Sequence, residues 1–192
     1  MATFGESNYS TVEVNGICFE TFMPERVLTI PPMDFRAVHP TIQLGIRITN
    51  NTSSRFRFTF NTNLVPEMVG PDGQFLNTGY VCERIVWPQE SDFILAMPGE
   101  AVTLIPKTQF GWVRNPKRKR DRWLRLVIIL KGSEFYFFKL LNPGEYRIRF
   151  NYGESRKAVE GYKDPPGIEP KMIQEIWIGD VVTRFAEFHL VN

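Results

Sequence analysis

The chain has 192 residues, 43% hydrophobic and 14% aromatic with 16 Phe, which supports a sizeable core and favours strands over helices. No run approaches the roughly 20 apolar residues of a membrane span, and the opening Met-Ala-Thr-Phe-Gly-Glu-Ser-Asn has neither the basic flank nor the apolar stretch of a secretion signal. Cys18 and Cys82 are too few and too far apart for a disulfide framework, so a reduced, cytoplasmic protein without a membrane span is expected.

In chain order, Thr11 to Val14, Ile17 to Phe22 and Arg26 to Ile30 are short strand candidates. Pro24, Pro31, Pro32 and Pro40 interrupt them, and proline removes a ladder donor, so this stretch reads as edge strands and connecting loop. Thr41 to Phe60 carries the strongest pattern. Ile42, Leu44, Ile46 and Ile48 share one face. After the polar break Asn50-Asn51-Thr52-Ser53-Ser54, Phe56, Phe58 and Phe60 repeat the pattern against Arg55, Arg57 and Thr59. A period of two with one apolar face predicts a half-buried strand pair.

Leu64 to Val69 runs into Gly70-Pro71-Asp72-Gly73, a tight turn by composition, with Gln74 to Leu76 returning from it. Asn77 to Asp92, of mixed polarity and containing Pro88, reads as a connection. Phe93 to Met97 leads through the turn Pro98-Gly99-Glu100 into Ala101 to Ile105, a strand expected to continue, bent near Pro106, toward Phe110 and Val113. Trp123 to Leu130 is a nearly unbroken apolar run with a β-branched middle, which predicts a fully buried strand.

Lys131-Gly132-Ser133 is turn-like, and Phe135 to Leu140 is aromatic strand. Asn142-Pro143-Gly144 then turns into Tyr146, Ile148, Phe150 and Tyr152, which alternate with Arg147, Arg149 and Asn151. Gly153 to Lys171 is a polar excursion that includes Pro165-Pro166 and allows a short helix around Ser155 to Glu160. Ile173 to Asp180 and Val181 to Asn192 give two closing strands, with Phe188 and Leu190 facing in and Glu187 and His189 facing out. About ten short strands with frequent turns make an all-β antiparallel sandwich. It is expected to be one domain over 1–192: edge strands and loop at 1–40, core at 41–152, excursion and closing strands at 153–192.

Three local patterns together resemble an immunoglobulin-like sandwich. They are the strand pair around its Asn-Asn-Thr-Ser break, Met97-Pro98-Gly99-Glu100 opening a strand, and Leu141-Asn142-Pro143-Gly144-Glu145-Tyr146, which looks like a tyrosine corner. The order of features is similar to the bacterial intracellular proteinase inhibitor family and to cyanobacterial proteins of the same general build. The resemblance covers roughly residues 42 to 152. It implies an immunoglobulin-like fold with elaborated loops and a C-terminal strand extension; the activity does not transfer with the fold.

Enzyme constellations are missing. The two histidines, His39 and His189, form no H-E-x-x-H and, with two scattered cysteines, no metal spacing; there is no G-x-S-x-G elbow and no glycine-rich phosphate loop. A protein without catalysis or cofactor is expected. The net charge of +2 conceals one basic segment: Arg114, Lys117, Arg118, Lys119, Arg120, Arg122 and Arg125 stand against Asp121 alone, leaving the rest of the chain net acidic. With Trp112 and Trp123 beside it, this segment would grip a phosphate backbone while a ring stacks, or an acidic protein surface; the alternative is a solvated loop whose tryptophans pack at its base. In an immunoglobulin-like arrangement Arg55, Arg57, Arg147 and Arg149 would share one sheet and form an arginine-rich outer surface beside Arg184, unless Glu187 or Glu145 pairs with them. The function expected is a non-enzymatic interaction module with a protein partner; nucleic-acid binding through 114–125, or an unrecognised enzyme or ligand carrier, is the alternative.

Overall fold

The structure, a computed structural model, describes residues 11–33, 41–59, 64–83, 89–114, 122–131, 134–139, 141–155, 159–160 and 172–192. A four-stranded sheet runs β1 (Val12–Val14), β2 (Ile17–Phe22), β5 (Gly45–Asn50), β10 (Ala101–Leu104), all antiparallel. A five-stranded sheet runs β4 (Thr41–Ile42), β11 (Lys107–Arg114), β12 (Arg122–Ile129), β13 (Glu134–Lys139), β8 (Thr78–Cys82). A third is built on β14 (Gly144–Glu154). One edge of β14 carries β7 (Leu64–Val69); the other carries β18 (Ala186–Val191) and then β17 (Gly179–Val182). Parallel to β18 lies β3 (Val27–Thr29). Two small ladders join β6 (Phe56–Phe58) to β9 (Ile94–Ala96), and β15 (Val159–Glu160) to β16 (Met172–Ile173). The fold is all-β, and no helix among the described residues is long and apolar enough to cross a membrane.

The expected alternation produces the buried faces. Ile42, Leu44, Ile46 and Ile48 are buried, as are Tyr146, Ile148, Phe150 and Tyr152, and so are Phe188 and Leu190. Apolar side chains from all three large sheets meet in one cluster. Phe19 packs its ring 4.8 Å from Trp177, 6.0 Å from Tyr152 and 6.3 Å from Phe58. Each such ring contributes about 1.5–3 kcal/mol by leaving water.

The turns follow their chemistry. Gly73 N–H donates to Gly70 O at 2.9 Å, and Glu100 N–H to Met97 O at 3.0 Å. Phe75 bridges back to Val69, as the returning segment requires. Tyr146 Oη donates to Asn142 O at 2.7 Å and accepts from Asn142 N–H at 2.9 Å, so the hydroxyl fixes the chain where it enters β14.

Several expectations change. β2 lies inside its sheet and is no edge strand. β5 and β6 belong to different sheets, and the polar break between them is a knitted corner. There Asn50 Nδ2 donates to Ser54 O at 2.7 Å and Ala96 O at 3.0 Å, while its Oδ1 accepts from Thr52 N–H and Oγ1. The bend at Pro106 is a crossover: β10 ends in the four-stranded sheet and β11 begins in the five-stranded one. Residues 78–82, read as connection, form β8 on the edge of that sheet. Val159–Glu160 make a ladder where a helical turn was expected. The first closing strand is broken: β16 ends at Ile173 and β17 begins at Gly179, with Ile176 and Trp177 both buried between them. Phe60, Pro88 and Pro165-Pro166 lie outside the described residues.

Candidate binding surface

The two arginine groups expected from sequence are rearranged. Lys117, Arg118, Lys119 and Arg120 lie outside the described residues, as does His39. Their flanks are not loop. Arg114 and Arg122 face each other at the ends of β11 and β12, and Arg122 Nη1 donates to Met33 O at 2.5 Å. Trp112 Nε1 donates to Pro31 O at 2.8 Å, with its ring packed against the core. Arg125 sits well inside β12, opposite Gly111 on one side and Lys139 on the other.

Arg57 and Arg147 do not share a sheet, because β6 pairs with β9 and, through Arg57, bridges Ile176, whereas β14 belongs to the third large sheet. Carboxylates other than those expected satisfy most of these cations. Arg55 Nε reaches Glu175 at 2.8 Å, and Arg57 Nη2 lies 3.9 Å from Glu90. Arg149 donates to Glu67 at 2.7 Å, and Asn151 Nδ2 donates to the other Glu67 oxygen at 3.0 Å. Burial works against the Glu67 carboxylate, but the bonds from Asn151 and Arg149 outweigh it and hold its pKa below the usual range. Arg147 and Arg149 stack over Phe185 at 5.5 and 4.5 Å. This surface is largely paired within the chain.

The five-stranded sheet differs. Its inner face supplies Phe110, Leu124, Leu126, Ile128 and Phe138 to the core. β12 was expected to be buried on both faces, yet Trp123, Arg125, Val127 and Ile129 are all partly exposed, so its second apolar face lines an outer surface. The register brings Phe137 beside Val127, and Phe135 beside Ile129. The Phe135 and Phe137 rings lie 6.1 Å apart. Phe137 also covers Gly79 of β8, where any Cβ would collide with the ring. No strand position on this outer face carries a carboxylate.

The cations on this face rest on rings. Lys139 Nζ lies 4.9 Å from the Trp123 ring centre and 4.8 Å from that of Phe137, while the Arg125 guanidinium lies 5.5 Å from Phe137. Arg125 Nε is buried without a hydrogen-bond partner, and burial alone pushes the Arg125 pKa down. It borders a notch of about 40 Å³ lined by Gln109, Gly111, Val113, Arg125 and Val127. Sequence reasoning counted Arg125 among the seven cations of the basic segment and also inside the strand read over 123–130; its place among Trp123, Val127 and Ile129 on one face is what the structure adds.

Among the described residues no group of His, Cys, Asp and Glu could hold a metal ion. Cys18 has its pKa raised by burial and by Glu13, the wrong direction for a nucleophile. Glu134 is buried and accepts from Tyr80 Oη at 2.8 Å, which anchors the edge strand β8. No protein-family model matches the chain, and neither curated proteins nor solved structures give a match.

Proposed function

We propose that this protein is a cytoplasmic, non-enzymatic interaction module that binds an acidic protein partner across the outer face of its five-stranded sheet. The observation that carries the reading is that face itself: aromatic and aliphatic at Trp123, Val127, Ile129, Phe135 and Phe137, cationic at Arg125 and Lys139, and free of carboxylates at every strand position. An apolar patch with a polar rim is the usual anatomy of a protein interface, and aromatic residues and Arg dominate its energetics. Arg125 and Lys139 are cross-strand neighbours, and like charges directly opposite each other are unfavourable until an anion intervenes.

Single-stranded nucleic acid is the competing anion, since bases stack on exposed rings. Lys139 already lies over both Trp123 and Phe137, so the ring faces that bases would use are occupied. That favours a protein partner. The test is capture from native lysate at moderate salt with mass spectrometry, comparing wild type, Val127→Glu and a charge-reversed 117–120 segment. A protein retained by wild type and lost from Val127→Glu, with both variants melting as wild type does, is the expected result. Identical capture by all three, or an oligonucleotide band shift whose salt dependence flattens when 117–120 is neutralised, would overturn it.

A further inference from the structure

The proposed face has one defined point of recognition. A buried guanidinium nitrogen without an acceptor is costly, and in a native structure it calls for an explanation. Arg125 Nε is such an atom, and the arginine carries a second cost from Lys139 directly across the strand pair. Neither cation has a carboxylate partner among the described residues, whereas Arg55, Arg57 and Arg149 each have one. The Arg125 side chain borders a notch floored by Gly111, which has no side chain to fill it.

The size of the notch limits what enters. About 10–15 Å³ admits one water-sized group, so the notch, at about 40 Å³, admits a small polar group such as a carboxylate. Gln109, on the opposite wall, brings an amide that can donate a second hydrogen bond. Val113 and Val127 make the other walls apolar, which strengthens any charge-assisted bond formed between them. We propose that this notch is a carboxylate receptor: an Asp or Glu side chain of the protein partner enters over Gly111 and accepts from the outer nitrogens of the Arg125 guanidinium, with Lys139 adding charge from the next strand. The inference rests on the binding face proposed above and specifies which residue of that face reads the partner.

The test uses three short synthetic peptides on the intact chain, alternating valine with glutamate, with glutamine or with phosphoserine. Binding is followed by the Arg125 Nε–Hε and Gln109 side-chain amide resonances. The glutamate peptide should shift both resonances saturably and bind about tenfold or more tightly than the glutamine peptide. That preference should vanish in Arg125→Lys, which keeps a cation but loses the planar guanidinium fork, and in Gly111→Ala, which fills the notch from the other side. Should one variant fail to fold, the other decides. Equal binding of glutamate and glutamine peptides would overturn the receptor while leaving the face intact. So would a preference that survives in both variants, or tighter binding of the phosphoserine peptide. If no peptide binds, the face itself fails and the receptor with it.

Discussion

Phe58 is fully buried, in edge contact with Phe19 and 6.2 Å from the ring of Trp177. Truncating it leaves a cavity beside the packed rings of Phe19 and Trp177, so Phe58→Ala should cost about 3–5 kcal/mol, read from the urea midpoint at unchanged slope. Tyr146 tests a different term. Its hydroxyl accepts from Asn142 N–H and donates to Asn142 O, so Tyr146→Phe strips two hydrogen bonds while keeping the ring and should cost about 1–2 kcal/mol. Glu67 gives a pH signature. Its folded pKa is held below its unfolded value, so the stabilisation is fully present above the unfolded carboxylate range, about 4.3, and is lost as pH falls through the folded value. Thermal melts should therefore show wild type and Glu67→Gln separated at neutral pH and converging in acid. Arg125 should behave in the opposite sense to these structural residues. Replacing a half-buried cation that lacks an acceptor with Met should leave stability within about 1 kcal/mol of wild type, on the stabilising side, while removing carboxylate binding.

The strands that could be read from sequence are those with water on one side. In β5, β14 and β18 an apolar residue alternates with Arg, Thr, Glu or His, and the period appears directly. β12 was legible as a strand but not in its burial, because its outer face is as apolar as its inner one and the alternation disappears from the letters. The proposed binding face was hidden by the same fact that creates it. β8 had no readable pattern, since Thr78-Gly79-Tyr80-Val81-Cys82 offers neither alternation nor an apolar run. What makes it a strand comes from β13: Glu134 accepts the Tyr80 hydroxyl, the Tyr80 and Tyr136 rings lie 4.9 Å apart, and the Phe137 ring covers Gly79. A side chain at position 79 must push that ring aside. Gly79→Ala should therefore loosen the edge strand locally, costing about 1–2 kcal/mol and raising hydrogen exchange at the β8 amides by about tenfold or more, with β5 and β14 unchanged. Uniform loss of protection across all sheets would show instead that β8 is part of the global unfolding unit.

In sequence the basic residues 117–120 stand between β11 and β12, strands of the five-stranded sheet whose outer face holds Arg125, Lys139 and the aromatic rings. The remainder of the chain is net acidic, so the long-range attraction for an acidic partner comes chiefly from the basic segment. Charges on a rim and side chains at a centre act on different rate constants: long-range attraction speeds encounter, while desolvated contacts hold the complex together. Neutralising Lys117, Arg118, Lys119 and Arg120 together should slow association with the partner about tenfold at low ionic strength, with the deficit shrinking as salt rises and the Debye length falls below about 8 Å. The dissociation rate should barely move. Val127→Glu should do the reverse. Its carboxylate lies two residues along the strand from Arg125, where it occupies the anion's place and sets a negative charge at the centre of the face, so dissociation should accelerate by about a hundredfold with association much less affected. Surface plasmon resonance with the captured partner separates the two. If neutralising 117–120 changed only the dissociation rate, the basic segment would belong to the contact itself, and the division between a steering rim and a holding sheet would be wrong.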